Sequence, residues 1–451
     1  MHAKTRNTSV LAALALLVAP LSHAVDSAPM AGATVASSVA SSSAKIAPPQ
    51  PGAALKTDDY KEADLWARIR GGYAIPDLDN TLVDKHLQYY ASRPDYMNRI
   101  SGRASLYLYH VVQELEKRNM PTELALLPII ESAFNPQALS NANAVGIWQF
   151  MPGTGKDFNL KQNMFKDERR GVLASTDAAL TYLQRLYSMF GDWQLALAAY
   201  NWGEGNVQRA IKKNQSLGKP TDFESLAALM PAETRNYVPK LQAVKNIIAN
   251  PSQHGMSLPV IDNQPYFTAV DKTSDIDLTV AAQLAEMSID EFKALNPQFK
   301  RPVIIGGEQT KILLPKENAA KFQVNLAQWG HALSSWTTHR ISSAKESIAS
   351  LAAKFDTTPE IIRQANNIPA RSGVKAGSTI LVPKISTSSQ TDIAEHIVEN
   401  AVMALEAERT STGRINKLSG AQRFRATAAH AVARIKGSSS RSETRKGRRT
   451  R

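Results

Sequence analysis

The sequence predicts a mainly α chain: one all-α domain, two small α+β modules behind it, and disordered termini. Three observations carry this. From Tyr60 to about Asn250, apolar residues recur at helical spacing and no alternating β pattern interrupts them. Two later stretches repeat the order strand, helix, helix, strand and end alike, in Ile312-Leu313-Leu314-Pro315 and Ile380-Leu381-Val382-Pro383. The two ends of the chain are compositionally biased, one rich in Ala, Ser and Pro, the other basic.

At 451 residues the chain calls for more than one core. There is no cysteine, which excludes disulfides, a thiolate nucleophile, thiolate zinc sites and a lipid-bearing N-terminal cysteine. The formal charge is +13, and residues 409–451, with thirteen Lys/Arg and the single acid Glu443, carry +12 of it. That tail is read either as a solvated disordered end or as an electrostatic attachment to an anionic polymer or membrane surface.

Residues 1–24 read as a signal peptide. Lys4 and Arg6 make the positive start, Val10 to Ala19 the apolar run, and Ser22-His23-Ala24 the cleavage site. An uncleaved anchor is the alternative. Residues 25–58 are a disordered linker. The all-α domain spans 59–250, with its core at about 105–215. Short helices are expected over Asp64 to Ile69 and Leu82 to Tyr90, then a longer one from Ser105 to Lys117. Pro121 and Glu123 mark a helix start whose apolar face is Leu124, Leu127 and Ile130. Asp177 to Phe190 and Asp192 to Asn201 follow, separated by Gly191 and each opened by its aspartate. Residues 262–318 and 335–384 form the two modules. Beyond them, 385–451 is a polar linker, a helix over Ile393 to Glu408, and the basic tail.

Glu131 is the residue around which chemistry is expected. It closes an apolar run at the end of a helix, and both desolvation and the helix C-terminus raise a carboxyl pKa. It is either a catalytic acid or a cap for the next loop. Gly146 suggests close backbone approach. Gln149 lies between Trp148 and Phe150, rings that suit either a sugar cleft or a core. Asp167-Glu168-Arg169-Arg170 reads as a helix start or an ion-pair segment, and His110 and His254 as structural histidines.

Four motifs then occur in order on the helical frame: Glu131-Ser132, Gly146-Ile147-Trp148-Gln149, Ala199-Tyr200-Asn201-Trp202-Gly203 and Glu233-Thr234-Arg235-Asn236-Tyr237-Val238. The region from about 60 to 260 resembles the lytic murein transglycosylases with the Slt-type, goose-lysozyme-like domain. Isoleucine at 147 replaces the family's usual leucine. The resemblance implies a lysozyme-like fold with Glu131 as acid and base. It also implies that Ser140, Gln149, Met151, Tyr200, Asn201, Glu233 and Tyr237 line or organise a glycan cleft, with no cofactor and no metal.

Glycosidases usually need two carboxylates, and only Glu131 has motif support. One acid can still cut the muramoyl bond without water, leaving a 1,6-anhydromuramoyl end. A goose-type hydrolase and an inactive wall-binding scaffold are the alternatives. The two modules resemble LysM domains, which bind N-acetylglucosamine units. The second matches at Ala349, Leu351, Ala352, Asn366, Gly377 and Pro383, and departs from the family over Ser342 to Ser347. The first is more diverged and is either a binder or a spacer. The expected protein is an exported, periplasmic monomer on peptidoglycan strands, with no nucleic-acid partner.

Overall fold

The computed structural model describes residues 64–271, 274–305, 310–385 and 391–407. The signal, the first linker and the basic tail lie outside the described residues.

Asp64 caps α1 (Leu65–Gly71) by accepting from Trp66 N, and Asn80 caps α2 (Thr81–Ala91) by accepting from Leu82 N. An unforeseen helix, α3 (Pro94–Ala104), comes next, and the helix expected over Ser105 to Lys117 is α4 (Leu108–Lys117), starting three residues later than expected. The stretch from Thr122 begins as a 3₁₀ turn to Leu126 and becomes α5 (Leu127–Ser132). Then come α6 (Pro152–Asp157), α7 (Val172–Phe190), α8 (Trp193–Trp202), α9 (Glu204–Ser216), α10 (Phe223–Leu226) and α11 (Ala232–Ala249). Asp192 caps α8 as expected, accepting from Leu195 N. Asp177 does not cap α7, because that helix starts five residues earlier, after Gly171.

The core runs along α8. Ala196, Leu197, Ala198 and Ala199 are all fully buried, and a helix apolar on every side belongs in an interior. Its small side chains let α7 and α11 pack closely against it. A buried polar network fastens the N-terminal helices to this core. Glu123, with no exposed surface, accepts from Ala74 N and Ile75 N, each at 2.8 Å, and lies 3.1 Å from Lys245 Nζ on α11.

The first module contains β1 (Phe267–Asp271), β2 (Ile276–Asp277), α12 (Leu278–Leu284), α13 (Ile289–Leu295), β3 (Val303–Ile304) and β4 (Lys311–Pro315). An unforeseen helix, α14 (Lys316–Ala327), packs its buried Phe322 into this core. The second module contains β5 (Trp336–Arg340), α15 (Ile348–Lys354), α16 (Pro359–Asn366), β6 (Ser372–Val374) and β7 (Thr379–Pro383). In both modules the first strand and the strand carrying the shared ending pair antiparallel.

One device recurs. Asn296 brackets the backbone of Leu313, donating to its carbonyl and accepting from its N–H, both at 2.8 Å. Asn366 does the same to Leu381, both at 2.7 Å. Asn366→Ala would leave buried backbone groups unpartnered, and we expect the second module to lose about 2–3 kcal/mol, read as an earlier unfolding transition in a thermal melt.

The helix expected over Ile393 to Glu408 is corrected. It is α17 (Glu395–Asn400) followed by a strand, β8 (Leu405–Ala407), paired antiparallel with β6. The segment is a strap. Ile393 N donates to Asp275 Oδ2 in the first module at 2.7 Å, and β8 completes a ladder in the second. The modules also join the α domain directly. Buried Arg301 donates to Met164 O at 3.0 Å, Lys300 N donates to Phe165 O at 2.8 Å, and Tyr107 Oη donates to Ala294 O at 2.6 Å. No helix among the described residues is long and apolar enough to cross a membrane.

Candidate active site

Glu131 is the fifth residue of the six-residue α5. The helix ends because Ala133 and Phe134 both take left-handed φ values of 53°. Such backbone costs a non-glycine residue on the order of 1–3 kcal/mol. Burial offsets it: Phe134 has no exposed surface, and its N–H donates to Pro128 O at 3.0 Å. Ser132 Oγ donates to Ile147 O at 2.9 Å and so ties the helix end to the following loop. Glu131 thus sits on a short, doubly anchored element.

That loop closes on itself. Gly146 has φ +84°, and a Cβ there would lie 2.1 Å from Arg169 O, so the close approach expected of this glycine is present. Arg169 pairs with Asp167 through two buried hydrogen bonds of 2.9 and 2.8 Å and donates to Phe150 O at 3.1 Å. Asp167 to Arg170 is therefore an ion-pair segment and not a helix start. Trp148 is fully buried, its indole N–H donating to Thr176 Oγ1 at 3.0 Å, and Phe150 is buried beside it. Both rings belong to the core, not to a sugar-facing wall. His110 is partly buried, and its Nε2 has no hydrogen-bond partner.

Tyr237, on α11, donates its hydroxyl to Glu131 Oε1 at 2.5 Å, across 106 positions of sequence. Among the described residues no other side chain hydrogen-bonds this carboxyl. Burial pushes the Glu131 pKa up to about 7, and the like charge of Glu233 adds to it; the Tyr237 hydrogen bond and the Lys240 ammonium oppose it. Tyr200 lies close enough that burial and then the Glu131 charge push its phenol well above the usual range. Its hydroxyl donates to Trp148 O at 3.0 Å. The phenol of Tyr237 is raised likewise, by burial first and Glu131 next.

The remaining candidates hold the frame. Asn201 Oδ1 accepts from Thr234 Oγ1 at 2.7 Å, linking α8 to α11. Gln149, itself at φ +50°, donates to Gly146 O at 2.8 Å. Ser140 Oγ accepts from Ala144 N at 3.0 Å, shaping the loop. Met151 is 42% exposed at the start of α6. Of the candidate residues, Tyr237, Tyr200 and Glu233 converge electrostatically on Glu131; Ser140, Gln149, Met151 and Asn201 make no hydrogen bond to it. Sequence reasoning missed Lys240. Its spacing of three from Tyr237 on one helix was the available signal. Also missed was His86, whose ring nitrogen lies 2.8 Å from Asn236 Oδ1.

A glutamic acid held partly neutral near pH 7, with one phenolic donor, can protonate a leaving oxygen and then act as a base. Comparison with known proteins agrees in kind. Residues 110–223 match the family described as Transglycosylase SLT domain. Residues 266–330 match that described as Lytic transglycosylase MltD, LysM-like domain, and 344–383 the LysM domain. The chain is 41% identical over 267 residues to membrane-bound lytic murein transglycosylase D of Escherichia coli (strain K12), covering 59% of each chain. It is 42% identical over 167 residues to a putative tributyltin chloride resistance protein of Alteromonas sp. (strain M-1), covering 37% of this chain and 77% of that one. A soluble lytic murein transglycosylase of Salmonella typhimurium is 32% identical over 124 residues, 26% of this chain and 18% of its own. The chain thus spans 59% of the length of its Escherichia coli relative.

Proposed function

Because the chain belongs to the lytic murein transglycosylases that carry an SLT domain and LysM domains, we propose that it cuts the bond between N-acetylmuramic acid and N-acetylglucosamine in peptidoglycan without water. The observation that carries the reading is Glu131: a carboxyl raised to about 7 by burial and, among the described residues, hydrogen-bonded by the Tyr237 side chain alone. Glu131 gives its proton to the glycosidic oxygen as the C1–O bond breaks. The N-acetyl oxygen of the muramoyl ring supports C1 from the opposite face. The Glu131 carboxylate then takes the proton of the C6 hydroxyl as that oxygen bonds to C1. A 1,6-anhydromuramoyl end forms and the acid is regenerated. Tyr237 stabilises the carboxylate between the two steps. Tyr200, Asn201, Gln149, Ser140, Met151 and Glu233 build the surrounding cleft.

The LysM modules hold the enzyme on N-acetylglucosamine units of the wall, in the periplasm after export. In the second module the unusual turn is stabilised internally. Ser342 N donates to Glu346 Oε1 at 2.8 Å, and the Ser342 and His339 side chains help hold the Glu346 pKa near 2.

Incubation with purified sacculi and mass analysis of the fragments tests the reading. Anhydromuramoyl ends are the expected result. Glu233 favours a second reading, since it is the carboxylate felt at Glu131. If it activated water, the same digest would contain reducing ends instead.

A further inference from the structure

We infer that the cleft on the α2 side of Glu131 is a subsite for the carboxylate-bearing arm of the muramoyl unit, a reading that rests on the transglycosylase proposal. The cleft encloses about 510 Å³, and Lys85, His86, Tyr89, Tyr96 and Lys240 line it together with Glu131. Two helices supply its cations. Lys85 and Tyr89 stand one turn apart on α2, and Lys240 lies on α11. The contact between His86 and Asn236 pins these helices together.

Both ammonium groups act inside the cleft. Burial lowers the His86 pKa, and Lys240 and Lys85 lower it further. Lys240 also opposes the rise at Glu131. Among the described residues, neither lysine forms an ion pair with a carboxylate; the lysine of α11 that does is Lys245. Among the described residues the one carboxyl lining the cleft is Glu131, which is neutral when it acts as the acid. The lining of the cleft is therefore cationic at the moment of bond breaking, and Glu233, which is not part of the lining, is the carboxylate that opposes it at Glu131.

A cationic cleft offers little to an uncharged N-acetylglucosamine ring. It suits the substituent that sets the muramoyl ring apart, the O3 lactyl arm. That arm ends either in its own carboxylate or in a peptide stem bearing others. Tyr89 and Tyr96 add faces for its apolar and amide parts, with the Arg93 guanidinium 4.0 Å from the Tyr89 ring centre. Seating the arm here sets the direction of the strand and so brings the muramoyl C1, rather than the glucosamine C1, to Glu131. Lys85 and Lys240 are thus specificity-determining residues, outside the four motifs.

The test is binding calorimetry in the Glu131→Gln background, with and without Lys85→Gln and Lys240→Gln. Three ligands are titrated: an N-acetylglucosamine oligosaccharide, a muramoyl-containing oligosaccharide with free lactyl groups, and the same strand bearing peptide stems. Removing both lysines should weaken a carboxylate-bearing ligand roughly tenfold or more and leave the first unchanged. Loss with the free lactyl strand alone assigns the lactyl carboxylate. Loss with the stem-bearing strand alone assigns the stem, and loss with both means that either is accepted. Lys85→Arg with Lys240→Arg should retain the affinity, separating charge from fold. Equal loss for all three ligands, or none for any, overturns the inference. Absence of anhydromuramoyl ends from the unaltered enzyme would instead count against the transglycosylase reading.

Discussion

Glu131→Gln should abolish release of anhydromuramoyl fragments from sacculi while the protein stays folded. The amide has the same shape but can neither give the proton to the leaving oxygen nor take one from the C6 hydroxyl. General acid–base catalysis alone contributes about 10²–10⁴-fold, and here a single group serves both steps, so the loss should reach at least the upper end. The substitution should also stabilise the protein in alkali. Glu131 has a folded-state pKa raised from 4.5 to about 7, so the folded state holds the proton more tightly than the unfolded one. Its contribution is most favourable below the unfolded value and is lost as pH rises through 7. By linkage the cost of ionising it in place is at most about 3 kcal/mol, less whatever solvent in the open cleft screens. Glu131→Gln removes that cost. At pH 8 the variant should melt above the parent, and at pH 4 the two should coincide. A variant that melts well below the parent at both pH values would make Glu131 structural. The same pKa governs turnover: the fraction of protonated acid, and with it the first step, should fall as pH rises past 7. Tyr237→Phe should move that limb to higher pH, because the hydrogen bond it removes favours the carboxylate.

Glu123→Ala should destabilise the α domain more than any surface change. Its carboxylate has no exposed surface, accepts from two backbone N–H groups, and faces Lys245, which is itself 9% exposed. Deleting it orphans those donors and leaves a largely buried ammonium with the Ile75 carbonyl at 2.8 Å and, as its remaining carboxylate among the described residues, the exposed Asp77 at 2.9 Å. Breaking a buried pair from one side costs on the order of 3–5 kcal/mol. The measurement is denaturant unfolding followed by far-ultraviolet circular dichroism. Replacing Lys245 by Met in the same chain should not restore stability, since Ala74 N and Ile75 N would still lack their acceptor. Full restoration would show that the charge, and not the backbone hydrogen bonds, sets the effect. Activity should fall with the fold, since Glu123 stands one turn before α5.

Much of this was legible in the chain. The helical period placed α1, α2, α4, α5, α7 and α8, because amphipathic spacing is written over a few turns, but it did not pick out α3, α6, α9, α10 or α11. Shared strand endings marked the two modules, and in the structure both endings are buried apolar strands, each bracketed at its central leucine by an asparagine at the end of a helix, Asn296 at Leu313 and Asn366 at Leu381. Gly146 was legible as a close approach, although its neighbour, Arg169 O, was not. Other readings failed for identifiable reasons. Trp148 and Phe150 flank a polar amide, which cannot by itself reveal that both rings turn inward. The strand Leu405–Ala407 was read as helix because its partner, β6, lies some thirty residues away and local propensity does not see a ladder.

By itself, then, the sequence determined the all-α frame, the repeated modules, the order of the four motifs, and Glu131 as the acid to examine. Tertiary structure decided what that acid is. Its raised pKa comes from burial, its hydrogen bond from a tyrosine 106 positions away, and its charged surroundings from Glu233 and Lys240 on that same distant helix. The reason is physical. Helix periods and caps are set by neighbours within a few residues. Desolvation and charge act through space, and their strength depends on which distant segments the fold brings within a few ångströms.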